Sequence, residues 1–217
     1  FLKVEQEDSM GTSPEGFNRK GDKLYGSSSI GRDKAAVVWW SPVEGAGSNP
    51  TVVFESDKAD ISGSITNPDT YEPEAIAVSY LRPEITVIDN SNNIATDLSN
   101  LEKLGGKDFG ITDRTRDNRT WVVAFGAPED VPTYWLWDRD SQTGKKLFTT
   151  WPALEGQPLV GMKGVEIATR DGLIMPSYVT LPASYKEGQR LPLVMLIHGG
   201  PWARDSWGFN PLHQWLA

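Results

Sequence analysis

The chain has 217 residues, of which 38% are hydrophobic, and it carries a net charge of −8 and no cysteine. Its length fits one large domain or parts of two, and the lack of cysteine excludes disulfides and thiolate metal sites and leaves a cytoplasmic or a periplasmic location equally open. The acidic balance argues against a nucleic-acid groove, and no apolar stretch reaches the roughly 18 residues that span a membrane.

The first 150 residues contain short runs rich in Val, Ile, Thr, Trp and Tyr, each bounded by Gly, Pro, Asn or Asp. Runs of this composition predict β-strands, in three groups that follow an initial polar stretch, residues 1–14, interpreted as a loop or a broken strand. The predicted strands are 24–28, 36–40 and 51–55 in the first group, 61–66, 75–80 and 85–89 in the second, and 109–113, 120–125, 133–138 and 146–150 in the third.

The three groups repeat along the chain. Corresponding runs begin near Leu24, Ala75 and Thr120, roughly 45–50 residues apart, which is the period of a β-propeller blade. One irregular β-sandwich would show similar strand spacing, so the period favours a propeller and leaves a sandwich as the alternative.

One helix is predicted in this half, at residues 96–104, where leucines recur at three-residue spacing from Leu98 to Leu104 and two glycines follow. It stands where a fourth strand of the second group would be expected, so we interpret it as an insertion packed on a blade edge. Residues 151–162, rich in Pro and Gly, are interpreted as a linker.

After the linker, an alternating run at 165–169, the turn Arg-Asp-Gly at 170–172 and a second run at 173–182 predict a hairpin. The next run, 191–197, is apolar except for Pro192. Such a run suits a strand buried on both faces of a parallel sheet. It ends at His-Gly-Gly-Pro, residues 198–201, where two glycines leave the backbone bare for close approach of a ligand.

The segment 162–207 resembles the start of the catalytic domain of the prolyl oligopeptidase family of serine peptidases, with the acylaminoacyl-peptidase and dipeptidyl-aminopeptidase branches as the nearest match. The similar elements are Arg-Asp-Gly at 170–172, Leu-Pro at 181–182, His-Gly-Gly-Pro at 198–201 and a Trp-containing stretch at 202–207. Gly-Arg-Asp at 31–33, Tyr-Leu-Arg-Pro at 80–83 and Asp-Arg-Thr-Arg-Asp at 113–117 are similar to blades of that family.

This resemblance implies a mainly β fold, with about two to three C-terminal blades of a propeller in residues 1–155. Residues 156–217 would then be the first strands of an α/β-hydrolase domain. Phe1 in place of Met, and a last helical pattern from Pro211 that stops at Ala217, are interpreted as the ends of a fragment.

Nucleophilic hydrolysis in this class needs a Ser in Gly-x-Ser-x-Gly, and no Ser of the chain has that context. Since the triad follows the oxyanion loop in α/β-hydrolases, we expect the catalytic Ser, Asp and His to be absent from these residues. The resemblance implies that the backbone N–H of Gly200, beside Gly199, is an oxyanion-hole donor, and that His198 orients the loop. A plain turn for the glycines and a triad base for His198 are the alternatives.

Other polar residues are interpreted more plainly. Five acidic residues near blade loops could in principle bind a substrate's amino terminus, as in the dipeptidyl-aminopeptidase branch, but solvated loop charge explains them; they are Glu72, Glu74, Glu84, Asp138 and Asp140. Asn118-Arg119-Thr120 fits a glycosylation acceptor, although its turn context explains it without sugar. His213 is interpreted as a surface or packing residue. No metal-ligand spacing is present, so no metal or cofactor is expected.

These observations predict part of a serine peptidase that hydrolyses short peptides through an acyl-enzyme and is inactive as these 217 residues. The expected partner is a peptide substrate, with no nucleic acid and no membrane. The alternatives are a non-catalytic β-propeller that binds a protein or peptide, and an esterase or lipase. Incomplete sheets expose edges, so homo-oligomers or pairing between chains are also expected.

Overall fold

A computed structural model describes residues 3–43 and 49–217. Within these residues the chain forms 13 strands, two α-helices and two short 3-10 helices, which confirms the predicted mainly β fold. The chain divides into two compact units, Phe1–Thr96 and Asp97–Ala217.

The first unit contains two antiparallel sheets in which strands adjacent in the chain are hydrogen-bonded neighbours. The four-stranded sheet consists of β1 (Ser13–Phe17), β2 (Leu24–Ser28), β3 (Ala36–Trp40) and β4 (Thr51–Phe54). The three-stranded sheet consists of β5 (Ile61–Thr66), β6 (Pro73–Ser79) and β7 (Pro83–Val87). Consecutive meanders of this kind are the building pattern of propeller blades.

Burial explains why β3 lies in the middle of its sheet. Ala36, Val38 and Trp40 point to one face and form a buried cluster, against which Leu24 of β2 packs. Strand β1 differs, because each of its five residues is exposed and its sequence, Ser-Pro-Glu-Gly-Phe, has no apolar alternation. Pairing with β2, rather than propensity, makes it a strand, so the last two residues of the stretch interpreted as a loop or a broken strand belong to a strand. Residues 1–2 of that stretch lie outside the described residues.

The second unit contains the third predicted group of strands as a four-stranded meander. Trp121, Val123 and Trp137 are buried in it. Its strands are β8 (Phe109–Arg114), β9 (Thr120–Phe125), β10 (Thr133–Asp138) and β11 (Thr143–Thr149). The predicted strands of all three groups are thus confirmed to within three residues at their ends.

The predicted helix is confirmed as α1 (Ile94–Gly105). Its C-terminal half lies against the third sheet: Leu101 is fully buried, and a Cβ added at Gly105 would collide with the ring of Phe125. Leu104 similarly packs over Gly144 at the start of β11. The glycines are required at these close approaches because a larger residue would displace the helix.

The linker contains a 3-10 helix, Pro152–Leu154, and leads to the predicted hairpin, β12 (Met162–Ala168) paired with β13 (Ile174–Thr180). The hairpin turn is closed by the N–H of Thr169, which donates to Leu173 O at 2.9 Å. The division predicted at residue 155 stays a prediction.

The prediction of a buried strand at 191–197 is wrong. The segment belongs to none of the sheets, and its apolar side chains are exposed, with Leu193 at 84% and Ile197 at 79%. A strand is defined by its ladder, and no described segment offers this run a backbone partner. The composition of this run is typical of a central strand, but a strand forms only where neighbouring strands pair with it.

The chain ends in α2 (Pro211–Leu216). Asn210 caps this helix, since its Oδ1 accepts from the N–H of Leu212 at 2.9 Å and of His213 at 3.2 Å, and Pro211 occupies the first helical turn, where its missing N–H costs nothing. Neither this helix nor any other in the described part of the chain is long and apolar enough to cross a membrane.

Candidate functional site

The candidate oxyanion loop, residues 198–201, lies at the surface of the second unit. Gly200 has φ +151°, a conformation that residues with a Cβ rarely adopt. A Cβ added there would lie 2.9 Å from the backbone nitrogen of Trp202, whereas a Cβ at Gly199 would have no heavy atom within 4 Å. The loop conformation therefore requires glycine at 200 and merely permits it at 199.

The polar groups of this loop are arranged locally. Nδ1 of His198 lies 2.8 Å from Gly199 O, so the tautomer protonated at Nδ1 donates to this carbonyl. In the described part of the chain, neither the N–H of Gly199 nor that of Gly200 donates to another atom. Backbone N–H groups of this kind can stabilise negative charge that develops on an oxygen. The roles predicted for His198, Gly199 and Gly200 stay predictions.

No nucleophile–base pair accompanies the loop. Within residues 3–43 and 49–217, neither histidine is hydrogen-bonded to a serine or a carboxylate. His213 lies on α2 with its Nδ1 2.9 Å from Thr180 Oγ1, in the packing position expected for it. Among the described residues, the loop therefore presents backbone N–H donors, and the absence of the triad stays a prediction.

Among the five acidic candidates, Glu72 has the most developed environment. Its Oε1 accepts from Asn18 Nδ2 at 2.9 Å and lies 3.1 Å from Lys23 Nζ. The hydrogen bond from Asn18, with the neighbouring Lys23 ammonium, holds the pKa of Glu72 below its ordinary value. The hydrogen bond to Glu72 in turn raises the pKa of Lys23, and burial raises the pKa of Tyr25. Glu72 therefore forms part of a contact between the turn 18–23 and the turn 67–72.

Glu74 corrects the interpretation of these acids as solvated loop charge. It lies in β6, is fully buried, and accepts from Asn67 Nδ2 at 2.9 Å. The remaining acids fit that interpretation. Asp138 accepts from the N–H of Ser141, which lowers the pKa of this carboxyl, and Asp140 lies 3.4 Å from Arg119 Nε. Glu84 is exposed in β7.

The side chain of Asn118 is not accessible to a glycosylating enzyme. It is 5% exposed, its φ is +56°, and its Oδ1 accepts from Trp121 Nε1 at 2.7 Å. The asparagine is thus a turn residue that supports a buried indole, which agrees with the turn interpretation.

A pocket of about 360 Å³ lies in the first unit, away in sequence from the candidate loop, and includes Asp8, Arg32 and Asp33 in its wall. Each of these charges already has a partner: Ser29 for Asp8, Glu55 for Arg32 and Lys34 for Asp33. The described residues also contain no cluster of three or more His, Asp or Glu side chains suited to a metal ion. Neither feature provides a second candidate centre among residues 3–43 and 49–217.

Two polar residues each make several hydrogen bonds to distant parts of the chain, and no sequence pattern identifies either of them. Asp97 of α1 is a buried carboxylate that accepts from Trp137, Arg139 and Gln142. Gln214 of α2 forms three hydrogen bonds with backbone atoms. Both would pass for surface residues of amphipathic helices in a single sequence, because their partners are distant along the chain.

No family model matches the chain. It is 42% identical over 223 residues to dipeptidyl aminopeptidase BIII of Pseudoxanthomonas mexicana, an alignment that covers 100% of this chain and 32% of that protein. It is 23% identical over 240 residues to dipeptidyl peptidase family member 6 of Caenorhabditis elegans, again with 100% and 32% coverage. A solved prolyl endopeptidase structure aligns with a TM-score of 0.47 and 12% identity, covering 76% of this chain and 24% of that one.

The chain therefore spans about a third of the length of the curated relatives that it matches. The similarity to the bacterial enzyme extends along the whole chain, through the three meanders as well as the segment 162–207 that carries the Arg-Asp-Gly and His-Gly-Gly-Pro elements. This chain is therefore similar, over its full length, to proteins named as a dipeptidyl aminopeptidase and as a dipeptidyl peptidase family member.

Proposed function

We propose that these residues are part of a serine peptidase that hydrolyses short peptides through an acyl-enzyme. The observation that supports this most is the 42% identity, along the whole chain, to a protein named as a dipeptidyl aminopeptidase. From that name, release of dipeptides from a free amino terminus is the activity to test first.

In the proposed reaction, a serine activated by a histidine attacks the peptide carbonyl, and the carbonyl oxygen becomes negatively charged. The N–H of Gly200 would donate to this oxygen, at an exposed loop where the N–H has no acceptor among the described residues. Removal of one such donor costs about 10²–10³ in kcat. Gly199 would leave the backbone bare for the substrate, and His198 would orient the loop, a role that the 2.8 Å distance from its Nδ1 to Gly199 O supports.

We assign different roles to the two parts of the chain. Residues 1–155 would be propeller blades that, by analogy with the family, filter substrates by size, and residues 156–217 would begin the hydrolase domain. The serine, acid and base of the triad would come from elsewhere in a longer protein. The 217 residues by themselves would then bind no acyl group and hydrolyse no peptide.

The experiment begins with the protein as it occurs in its source cells, captured with an antibody raised against these residues. Its intact mass, its labelling by a fluorophosphonate probe for activated serines, and its release of dipeptides from chromogenic substrates are measured together. A mass well above 24.0 kDa with labelling and release is expected.

The same assays on the purified 217-residue chain provide the control, and neither labelling nor turnover is expected there. Turnover by this chain would contradict the proposed inactivity. A captured protein of high mass that is not labelled and releases no product would contradict the peptidase proposal and favour the non-catalytic binding module.

A further inference from the structure

The hairpin β12–β13 and the third sheet share no strand pairing. Each forms a separate sheet, and among residues 3–43 and 49–217 no strand of one is hydrogen-bonded to a strand of the other. The contacts that hold the hairpin on the sheet must therefore come from the segments around them.

The side chain of Gln214 reaches both the sheet and the residues that lead into the hairpin. Its Nε2 donates to Pro128 O, in the loop between β9 and β10, at 2.9 Å. The same nitrogen donates to Val160 O at 2.7 Å, while Oε1 accepts from the N–H of Val160 at 2.8 Å. Since Val160 lies two residues before β12, one side chain connects the loop of the sheet with the start of the hairpin.

The loop that accepts from Gln214 is itself fixed in the third sheet. Pro128 is fully buried, and Val131 is 1% exposed. The N–H of Gly126 donates to the carbonyl oxygen of Asp108, directly before β8, at 2.8 Å. A hydrogen bond to Pro128 O therefore reaches a loop that is packed on the sheet.

The residue beside Gln214 contacts the other end of the hairpin. Nδ1 of His213 lies 2.9 Å from Oγ1 of Thr180, the last residue of β13. Consecutive helical residues point about 100° apart, so α2 can face the hairpin with His213 and the loop with Gln214. Before the helix, the ring of Trp207 lies 6.4 Å from that of Tyr178 in β13.

The two residues between Trp207 and the helix cap contact the surroundings of the third sheet. The ring of Phe209 lies 6.2 Å from that of Trp151, which follows the end of β11 by two residues. A Cβ added at Gly208 would lie 3.6 Å from Gly126 O. The segment 207–214, which we call the strap, therefore contacts the hairpin, the linker and the loop of the sheet.

We propose that the strap is a conformational device: it couples the hairpin β12–β13 to the third sheet, and the hairpin opens more readily when the hydrogen bonds of Gln214 are lost. With the proposed division at residue 155, the strap would join the blades to the start of the hydrolase domain. That consequence rests on the proposed function, whereas the coupling itself can be measured without any activity.

An amide is the side chain that fits position 214. Its oxygen accepts from one N–H, and its nitrogen donates to two carbonyl oxygens. In Gln214→Glu, the second carboxylate oxygen faces the carbonyl oxygens of Val160 and Pro128 without a proton. Protonation restores one donor, so Gln214→Glu should regain part of the contact in acid, whereas Gln214→Ala should not.

The test is amide hydrogen exchange of the 217-residue chain, followed by mass spectrometry of dilute protein. In Gln214→Ala, amides of the hairpin 162–180 should exchange about 10-fold faster, as for one to two lost hydrogen bonds, and amides of 120–138 in the third sheet should not change. Alanine favours a helix at least as well as glutamine, so melting of α2 would not explain this result.

Gln157→Ala is the matched control, because it makes the same substitution at an exposed position of the linker. It should leave the exchange of both segments unchanged. Gln214→Glu should behave like Gln214→Ala at pH 7 and should approach the unchanged chain at a pH about one unit below the ordinary Glu pKa.

A double-mutant cycle tests whether the two contacts of α2 act together. Thr180→Val keeps the size of the side chain and removes the hydroxyl group that faces His213, so it should also speed exchange in the hairpin. If α2 couples hairpin and sheet, the combined variant Gln214→Ala/Thr180→Val should exchange more slowly than the product of the two single effects, because the helix is already released.

Unchanged hairpin exchange in Gln214→Ala would overturn the proposal. Equally faster exchange in the hairpin and the third sheet would overturn it too, because Gln214 would then stabilise the whole unit. Single effects that multiply in the double variant would overturn the coupling through α2. None of these results bears on the peptidase proposal, since no labelling or hydrolysis is measured.

Discussion

The carboxylate of Asp97 and the guanidinium group of Arg139 form a buried ion pair, with 2.7 Å between Oδ2 and Nη2. Only 2% of the Asp97 side chain and 13% of the Arg139 side chain are exposed. The same carboxylate accepts from Trp137 Nε1 at 3.1 Å and from Gln142 Nε2 at 2.8 Å. One residue of α1 thereby satisfies donors from β10 and from the turn that follows it, which fixes the helix on the third sheet.

Replacement of Asp97 by Asn should strongly destabilise this unit. The variant keeps the size of the side chain but removes the charge that compensates Arg139, and loss of one partner of a buried pair costs about 3–5 kcal/mol. The free energy of unfolding, from urea titration followed by tryptophan fluorescence, measures the loss.

Asp140→Asn is the matched control, because it makes the same change of charge one residue from Arg139. Asp140 pairs with Arg119 at 3.4 Å, and both side chains are about two-thirds exposed. Such a surface pair contributes about 0–1 kcal/mol. Equal losses in the two variants would show that net charge, rather than burial of the pair, governs the effect.

The sequence predicts the strands well where local chemistry determines them. Runs such as 120–125 alternate buried and less buried residues, and turn-forming residues delimit them, so their bounds can be derived from composition. Strand β1, most of which is not predicted as a strand, and the segment 191–197, which is, differ from the sequence pattern in opposite directions. The sequence of β1 has low β propensity, but it forms a strand because it pairs with β2. The segment 191–197 has high β propensity, but it forms no strand because no described strand pairs with it.

In the candidate site, too, the sequence identifies residues with a local role and misses those whose role depends on distant partners. The two glycines of the loop are visible in the sequence because their chemistry is local, and Gly200 has a φ that residues with a Cβ rarely adopt. Gln214 and Glu74 are not visible, because the partners of Gln214 lie 54 and 86 residues away and the burial of Glu74 depends on tertiary packing. Long-range pairing of polar groups leaves no periodic trace in one chain.

Glu72 should make the stability of the first unit depend on pH in the acidic range. Its folded pKa lies below the ordinary value of 4.5, because Asn18 and Lys23 favour the carboxylate. Its contribution is therefore complete above pH 4.5 and is lost as the pH falls through the folded pKa. Since a third of the side chain is exposed, solvent screening keeps the effect modest.

The measurement is the melting temperature as a function of pH for the unchanged chain, Glu72→Gln and the exposed control Glu84→Gln. Between pH 7 and 4.5 the Glu72→Gln variant should be less stable by a constant amount, and the difference should shrink on further acidification. Glu84→Gln should follow the unchanged chain. A Glu72→Gln difference that stays constant below pH 4.5 would show that the titration of this carboxyl is not linked to folding.

Gly200→Ala should change the conformation of the loop 198–201, whereas Gly199→Ala should not. A Cβ at Gly200 meets the nitrogen of Trp202 at 2.9 Å with φ at +151°, so the loop must change its backbone conformation, whereas Gly199 has space for a methyl group. In the 217-residue chain, the amide shifts of residues 198–203 should move only in Gly200→Ala. Alanine keeps the backbone N–H, but the changed loop would carry it away from the oxyanion. In the proposed peptidase this variant should therefore lower kcat, by as much as the roughly 10²–10³ that a removed donor costs, and similar kcat values for both variants would contradict the oxyanion assignment.

The apolar run at 193–197 should make this chain self-associate. Five consecutive apolar side chains are exposed there, from 41% for Leu196 to 84% for Leu193, and contiguous apolar surface of this kind favours association. We expect sedimentation velocity to show species that grow with protein concentration, and Val194→Lys/Leu196→Lys to remove most of this growth. Gln189→Lys/Ser206→Lys makes the same change of net charge at exposed polar positions, so it should leave association in place. If both double variants abolish it equally, charge governs the association; if no variant associates less, the contact lies elsewhere on the chain.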